Sequence, residues 1–453
     1  MKHTVTDNQT GTVLQTGLTY SQEVVITPVD TDTITKGDLP QSTTNYHNTP
    51  YSDTFLYIPK GIDLKQLILD KGRKERFFFH YAYIISTIYL GRFKNKKLTK
   101  DSFVNLNTDT LREVISQRKC KEIIGDLITW DIIECDYKRK VGSKSYGYRF
   151  PTNSPSYSDT FYRVKIEDKL IIKKMNNFKE KQRLEARAAG ADYEHLFNYI
   201  HKIKINQSAA MKYINDNYTP YSDEYEARRL SVELIIGGDI FFIVDSKGNR
   251  AHTNLTNLAS DLRQFITFEG RKLGQVDLKN SQPFLLNLIL KKRINMRNEK
   301  EYAEYAKYKK LTEDGIFYEY LMEAFGIDNS NDKARKDFKL LFFGRVFFDV
   351  NRKKLKKEEE LFKNLFPTIF RIIREVKQED YTQLAISLQK VESKAVITEC
   401  VRRIRIEEPD MFVSTIHDSI VGELHNLDYF REVLEDVFAL NYNLNPGIKT
   451  EKF

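Results

Sequence analysis

The sequence is poor in the residues that build staples and membrane anchors. Its 453 residues include three cysteines, Cys120, Cys135 and Cys400, which are scattered, odd in number and without a CxxC pair. Neither a disulfide framework nor a zinc site is indicated. No apolar run reaches the roughly 18 residues that a membrane helix needs. No charged segment followed by an apolar one opens the chain, so a secretory leader is not expected. No internal repeat recurs at a fixed period. These absences point to a cytoplasmic protein of roughly two to four domains by size, with no membrane partner.

Enough is present to build real cores, with 41% hydrophobic and 12% aromatic residues. The formal net charge is +9. Excess positive charge favours a polyanionic partner such as nucleic acid, although a merely basic protein carries the same balance.

Residues 1–54 are rich in Thr, Ser, Asn, Asp and Gln and read as a disordered or loosely attached arm. From Phe55 the character changes. Residues 64–69 predict a buried strand or short helix, and 77–89 an apolar helix. A helix starts at Asn107, and a second covers 118–129 with Cys120, Ile123, Ile124, Leu127 and Ile128 as its stripe. A strand over 132–137, a basic turn around Gly142 and a returning strand over 146–150 follow. Helix, helix and basic hairpin resemble the winged-helix modules of plasmid and phage replication proteins, over about residues 56–150. The resemblance implies a nucleic-acid-binding domain at 55–152. Its recognition helix would carry Arg118, Lys119 and Lys121, and its wing Lys138, Arg139, Lys140 and Lys144. A winged helix used for protein contact is the alternative. Residues 153–236 then predict a basic, thumb-like helical region, strongly helical over 161–213.

The chemistry concentrates in 237–453. A strand over 272–277 ends in Asp277, where the chain turns into the apolar helix begun around Pro283. An unpaired charge is costly there, and a bound cation would remove the cost. A second hairpin, 411–424, places His417-Asp418-Ser419 in its turn. If the two strands are neighbours, Asp277 and Asp418 meet and can hold two Mg²⁺ ions, roughly 3.5–4 Å apart in sites of this type. Between them, residues 335–348 carry Arg335, Lys339, Phe343 and Phe347 at steps of four. On one α-helix these share a face, with charge for phosphates and rings for a base. A basic amphipathic surface helix is the plainer alternative.

In this order, the three stretches resemble motifs A, B and C of the family A DNA polymerases and the related phage-type single-subunit RNA polymerases. Asp277 matches the metal-binding aspartate of motif A. Arg335, Lys339, Phe343-Gly344 and Phe347 match RxxxKxxxFGxxY with Phe for Tyr, and His417-Asp418 match the His-Asp of motif C. Gly248-Asn249-Arg250-Ala251-His252-Thr253 resembles the primer–template segment before motif A, and Gln389 the glutamine that reaches the minor groove. The resemblance spans about residues 240–430. It implies an α+β fold, with a winged helix-turn-helix domain, a helical arm and a right-hand palm and fingers core. It also implies two Mg²⁺ ions, replaceable by Mn²⁺, on Asp277 and Asp418. Arg335 and Lys339 would act on the triphosphate, Phe343 and Phe347 on the base, and Gln282 on the sugar. Arg250, His252, Gln389 and His417 would meet nucleic acid, with a structural hairpin residue as the plainer reading of His417 and a loop histidine as that of His252.

Three departures from the family pattern bear on the substrate. Ser419 stands where the DNA polymerases have Glu, Gln282 where they have the sugar-excluding Glu, and Phe347 lacks the usual hydroxyl. Gln282 is still bulky enough to crowd a 2′-hydroxyl. The chain before the palm is expected to leave no room for a proofreading exonuclease. The expectation is a small DNA polymerase without proofreading, taking a primed template and nucleoside triphosphates, in replication of a plasmid, phage or mobile element. An RNA polymerase or primase is the first alternative. A non-catalytic DNA-binding initiator or regulator is the second.

Overall fold

A computed structural model describes residues 55–94, 101–106, 108–138, 145–154, 161–220, 222–329 and 331–453. The arm expected at 1–54 and the wing residues Arg139, Lys140 and Lys144 lie outside them. The fold is a mixed α+β arrangement in which helices outnumber short, antiparallel strands. Among the described residues no helix is long and apolar enough to cross a membrane.

The largest sheet is built around the strand Arg271–Leu278. Ser419–Glu423 pairs with it on one side and Ile448–Lys452 on the other, both antiparallel. Ser414–Ile416 extends the first side, while Ile266–Phe268 and Ile203–Ile205 continue from the start of the central strand. Two glycines let a helix press onto this sheet. Gly274 and Gly422 face each other across the ladder. A Cβ on Gly422 would stand 2.2 Å from the Phe430 ring, which belongs to the helix Leu427–Tyr442. Any larger residue would lift that helix away.

Apolar side chains gather into two cores. One takes Leu56 through Ile171 plus Leu230, and the other takes Ala186 through Ile448. The helices Lys169–Ala189 and Asp223–Ile236 contribute to both, the former through Ile171 and Ala186 and the latter through Leu230 and Val232. The order of helices Thr108–Val114 and Gln117–Thr129 followed by strands Glu134–Cys135 and Gly147–Arg149 is observed. The strands are shorter than expected, and Val104–Asn105 joins them as a third.

Residues 64–69 take the short-helix alternative, within Leu64–Asp70, and the neighbouring strand is Phe55–Pro59. One local expectation fails. Phe161 opens a strand, Phe161–Lys165, rather than a helix. It pairs in antiparallel register with Phe55–Pro59, a partner about a hundred residues away, which no local periodicity reveals.

Candidate active site

Asp277 lies near the end of the central strand, directly opposite Ser419 on one neighbour and Lys449 on the other. Residues directly opposed in an antiparallel ladder project to one face. The turn His417-Asp418 therefore starts one step beyond Asp277, and the two carboxyls meet. The turn is tight, since Ile416 pairs with Ser419. His417 makes this possible by adopting φ +57°, a left-handed conformation disfavoured for a side-chain-bearing residue. Asn280, at φ +51°, makes the equally sharp passage from the central strand into the helix Ser281–Leu290.

The two carboxyls come within hydrogen-bond reach of each other, and their mutual repulsion and burial favour keeping a proton on the pair. Burial and the neighbouring Asp418 push Asp277 up to about 7, while the Ser419 hydroxyl, donating to Oδ1 at 2.7 Å, pulls the other way. Asp418 is raised by burial and by the charge of Glu392, against a hydrogen bond from Ser281. Both residues nonetheless keep partial contact with solvent. A recessed, reachable carboxyl pair that retains a proton is short of positive charge. An oxygen-preferring divalent cation such as Mg²⁺ fits it, because Mg²⁺ takes few carboxylates and fills its remaining positions with water or substrate oxygens. Among the described residues no group of three or more His, Cys, Asp and Glu has metal-ligating geometry. The fit therefore rests on the two aspartates.

Glu392 is the acid that sequence reasoning missed. It is 1% exposed, on the helix Gln383–Ser393. Its Oε2 accepts from Arg250 Nη2 at 2.6 Å and from Gln282 Nε2 at 3.0 Å, while Oε1 finds no hydrogen-bond partner among the described residues. Leu384, Leu388 and Glu392 recur at steps of four, all buried. An acid in the third position of an apolar stripe was the signal that could have found it. Gln389, the expected residue, instead packs against the turn at Gly248, where a Cβ would come within 2.8 Å of Gln389 Cβ. Ser393 Oγ donates to Gly248 O at 2.7 Å and fixes the same turn. Arg250, Gln282 and Gln389 are thus brought together around one helix. His252 joins them through the hairpin Phe242–Val244 and Ala251–Thr253, and its ring lies 6.4 Å from that of His417.

The cationic helix is Asp332–Phe342, and it runs into a π-helical turn, Phe343–Phe347. Phe348 N donates to Phe343 O at 2.9 Å, the i+5 bond of that turn. Phe347 follows Phe343 closely, but its ring turns into the core rather than onto an open surface. It is 0% exposed, packed against Phe342 and Phe343 at 5.2 and 5.5 Å between ring centroids. A ring buried in this way offers no face to a base, and the expected stacking of Phe347 is not available in this structure.

Arg335, Lys339 and Phe343 do converge, on Tyr318. Arg335 Cζ and Lys339 Nζ lie 5.7 and 5.6 Å from the Tyr318 ring centre, and the Phe343 ring is edge-on at 6.0 Å. The Tyr318 hydroxyl feels both Arg335 and Asp418, which ties the cationic helix to the carboxyl pair. Arg335 is held by Glu319, Nε to Oε1 at 2.6 Å. Lys449 adds a further positive charge beside Asp277.

Away from this centre, Arg118, Lys121 and Lys138 are exposed. Lys119 is half-buried, paired with Glu122 at 2.8 Å and lying over the Phe77 ring. Among the described residues no contact brings these four to the aspartates.

No protein-family model matches the chain. No curated protein matches it either. Among solved structures, one similar to it is the POL domain of Pol1 from M. smegmatis, in complex with DNA primer-template and dNTP. The similarity has a TM-score of 0.37 at 12% identity and covers 62% of this chain and 65% of that one. The chain thus spans just under two thirds of that domain's length. A likeness of this extent carries no argument about activity.

Proposed function

We propose that the protein is a template-directed nucleotidyltransferase, and within that class a small DNA polymerase without proofreading, serving a plasmid, phage or mobile element. One observation carries this reading. Asp277 meets Asp418 on the same face as Ser419 and Lys449, and Arg335 and Lys339 flank the ring of Tyr318 beside them. Acid and base are thus arranged for a polyanion held by cations.

Asp277 and Asp418 would hold two Mg²⁺ ions, which when bound activate the attacking hydroxyl and neutralise the triphosphate. Ser419 and Ser281 orient the two carboxylates through their hydroxyls. Arg335 exchanges its partly exposed pair with Glu319 for phosphate, a small loss because such pairs contribute about 0–1 kcal/mol. Lys339, exposed on the same face, supplies the second phosphate contact. These cations stabilise charge on the leaving pyrophosphate. Phe343, half-buried, is the ring left to meet the base. Gln282 meets the sugar with its amide orientation fixed by Glu392. Arg250, His252, Gln389 and His417 meet the primer–template, and the domain at 55–152 delivers the enzyme to its template through Arg118, Lys119, Lys121 and the wing. Residues 237–453 serve as palm and fingers, with 153–236 as a thumb-like region.

A second reading, an RNA polymerase or primase, is favoured by Ser419, which fills the position after Asp418 and bonds Asp277. One assay separates them. Purified full-length protein receives a primed template and Mg²⁺, with dNTPs or rNTPs in separate reactions. Extension with dNTPs alone supports the first reading, and extension or de novo synthesis with rNTPs alone the second. No incorporation with either, the wild type matching Asp418→Ala, removes both and leaves a non-catalytic DNA-binding protein.

A further inference from the structure

The Tyr318 hydroxyl is a polar group in the wrong place for a packing residue. Tyr318 lies on the helix Phe317–Ala324, is 1% exposed, and its hydroxyl has no hydrogen-bond partner among the described residues. Its neighbour in the same aromatic cluster behaves otherwise. Tyr308 is equally buried and donates to Pro283 O at 2.9 Å. Leaving a buried hydroxyl unpaired is destabilising, and a phenylalanine of the same shape would avoid the loss.

What surrounds the hydroxyl says what would satisfy it. The ring is flanked by Arg335 and Lys339, at 5.7 and 5.6 Å, and touched edge-on by Phe343. The carboxyls of Asp418 and Glu319 are the acidic groups acting on it. Burial holds the phenol protonated, so it acts as a donor. A donor on a ring flanked by two cations, close to a centre fit for divalent metal, wants an anionic acceptor.

We propose that the Tyr318 hydroxyl is a substrate-binding group, donating a hydrogen bond to a phosphate oxygen of the nucleoside triphosphate held between Arg335, Lys339 and the aspartate pair. This rests on the nucleotidyltransferase reading of the site and adds a residue that the sequence motifs do not contain. The hydroxyl is idle in the free protein and engaged in the complex. Its stability and binding effects must therefore have opposite signs. A merely structural tyrosine would move both in the same direction.

The test uses the full-length protein and Tyr318→Phe, which keeps the ring and its packing. Thermal unfolding without nucleotide is expected at or above the wild-type temperature. Binding of dNTP with Mg²⁺, read by the ligand-induced shift in unfolding and by KM in primer extension, is expected to weaken about tenfold, the loss of roughly one hydrogen bond. Inorganic pyrophosphate should show the same loss as a competitor, and a nucleoside without phosphates should show none. The idea is overturned if Tyr318→Phe unfolds earlier than wild type without ligand, or if it binds dNTP and pyrophosphate as wild type does. Lys339→Ala serves as the control for the underlying reading. If wild type and Lys339→Ala both show no nucleotide-dependent shift, the reading of the whole site falls, and this inference with it. If Lys339→Ala loses the shift and Tyr318→Phe keeps it, only the inference falls.

Discussion

Ser419 faces Asp277 across the ladder, and its hydroxyl donates to Asp277 Oδ1 at 2.7 Å. That bond opposes the burial and repulsion that raise the Asp277 carboxyl. Ser419→Ala removes the opposition, so Asp277 keeps its proton to a higher pH. The acid limb of the pH–rate profile should move to higher pH. Activity should fall several-fold at pH 7 and approach wild type near pH 9. Ser419→Thr, which keeps the hydroxyl, should leave the limb in place. An unmoved limb in Ser419→Ala would mean that the bond does not tune the site.

The aspartate pair also makes a stability prediction with a definite sign. In the folded state Asp277 titrates at about 7. An unfolded carboxyl titrates near 4. The folded state therefore holds more protons between these values, and the pair's contribution is fully present below about pH 4 and lost as pH rises through 7. In EDTA, Asp277→Asn should raise Tm at pH 8 by a few degrees, from relief on the order of 2 kcal/mol, and change it little at pH 4. Mg²⁺ should stabilise the wild type at pH 8 and leave Asp277→Asn unmoved. Calorimetry at the two pH values, with and without Mg²⁺, decides it.

Phe347 separates a stability residue from a binding residue. Because its ring is enclosed by Phe342 and Phe343, Phe347→Ala should cost about 3–5 kcal/mol through the cavity it leaves. Arg335→Ala should cost less than about 1 kcal/mol, since its pair with Glu319 is more than a third exposed on the arginine side. KM for nucleotide should rise tenfold or more in Arg335→Ala. Chemical denaturation beside steady-state kinetics checks both. Equal destabilisation by the two variants would contradict a packing role for Phe347 and a phosphate-binding role for Arg335.

The pattern of success and failure in the sequence is physical. Asp277 and Asp418 are legible because strand ends and tight turns have local signatures, and those signatures fix where a side chain emerges. Phe347 is misread because a step of four says which residues share a face but not whether that face is open, and here the Phe347 ring is enclosed by Phe342 and Phe343. Phe161–Lys165 is misread as helix because its partner strand is Phe55–Pro59, a pairing that local periodicity does not encode. Gln389 matches the family glutamine in sequence, while Glu392, one turn along the same helix, holds Arg250 and Gln282. The acid's position in the stripe of Leu384 and Leu388 was visible but argued for nothing until Arg250 and Gln282 were seen to meet it.

Glu392 therefore carries the most discriminating substitution. Its carboxylate is the shared acceptor for Arg250 and Gln282, and Arg250 is itself largely buried, its side chain 18% exposed. Glu392→Ala leaves that guanidinium without its counter-charge, which should destabilise the fold by about 3–5 kcal/mol. Glu392→Gln keeps the shape and one acceptor oxygen but removes the charge. It should cost less stability, yet it frees the Gln282 amide, because a glutamine at 392 can offer either its oxygen or its nitrogen to Gln282. If Gln282 meets the sugar, the ratio of kcat/KM between dNTP and rNTP should shrink in Glu392→Gln while KM for the primer–template rises through loosened Arg250. A ratio unchanged from wild type, in a variant that folds and extends primers, would show that Gln282 does not read the sugar and that Glu392 serves Arg250 alone.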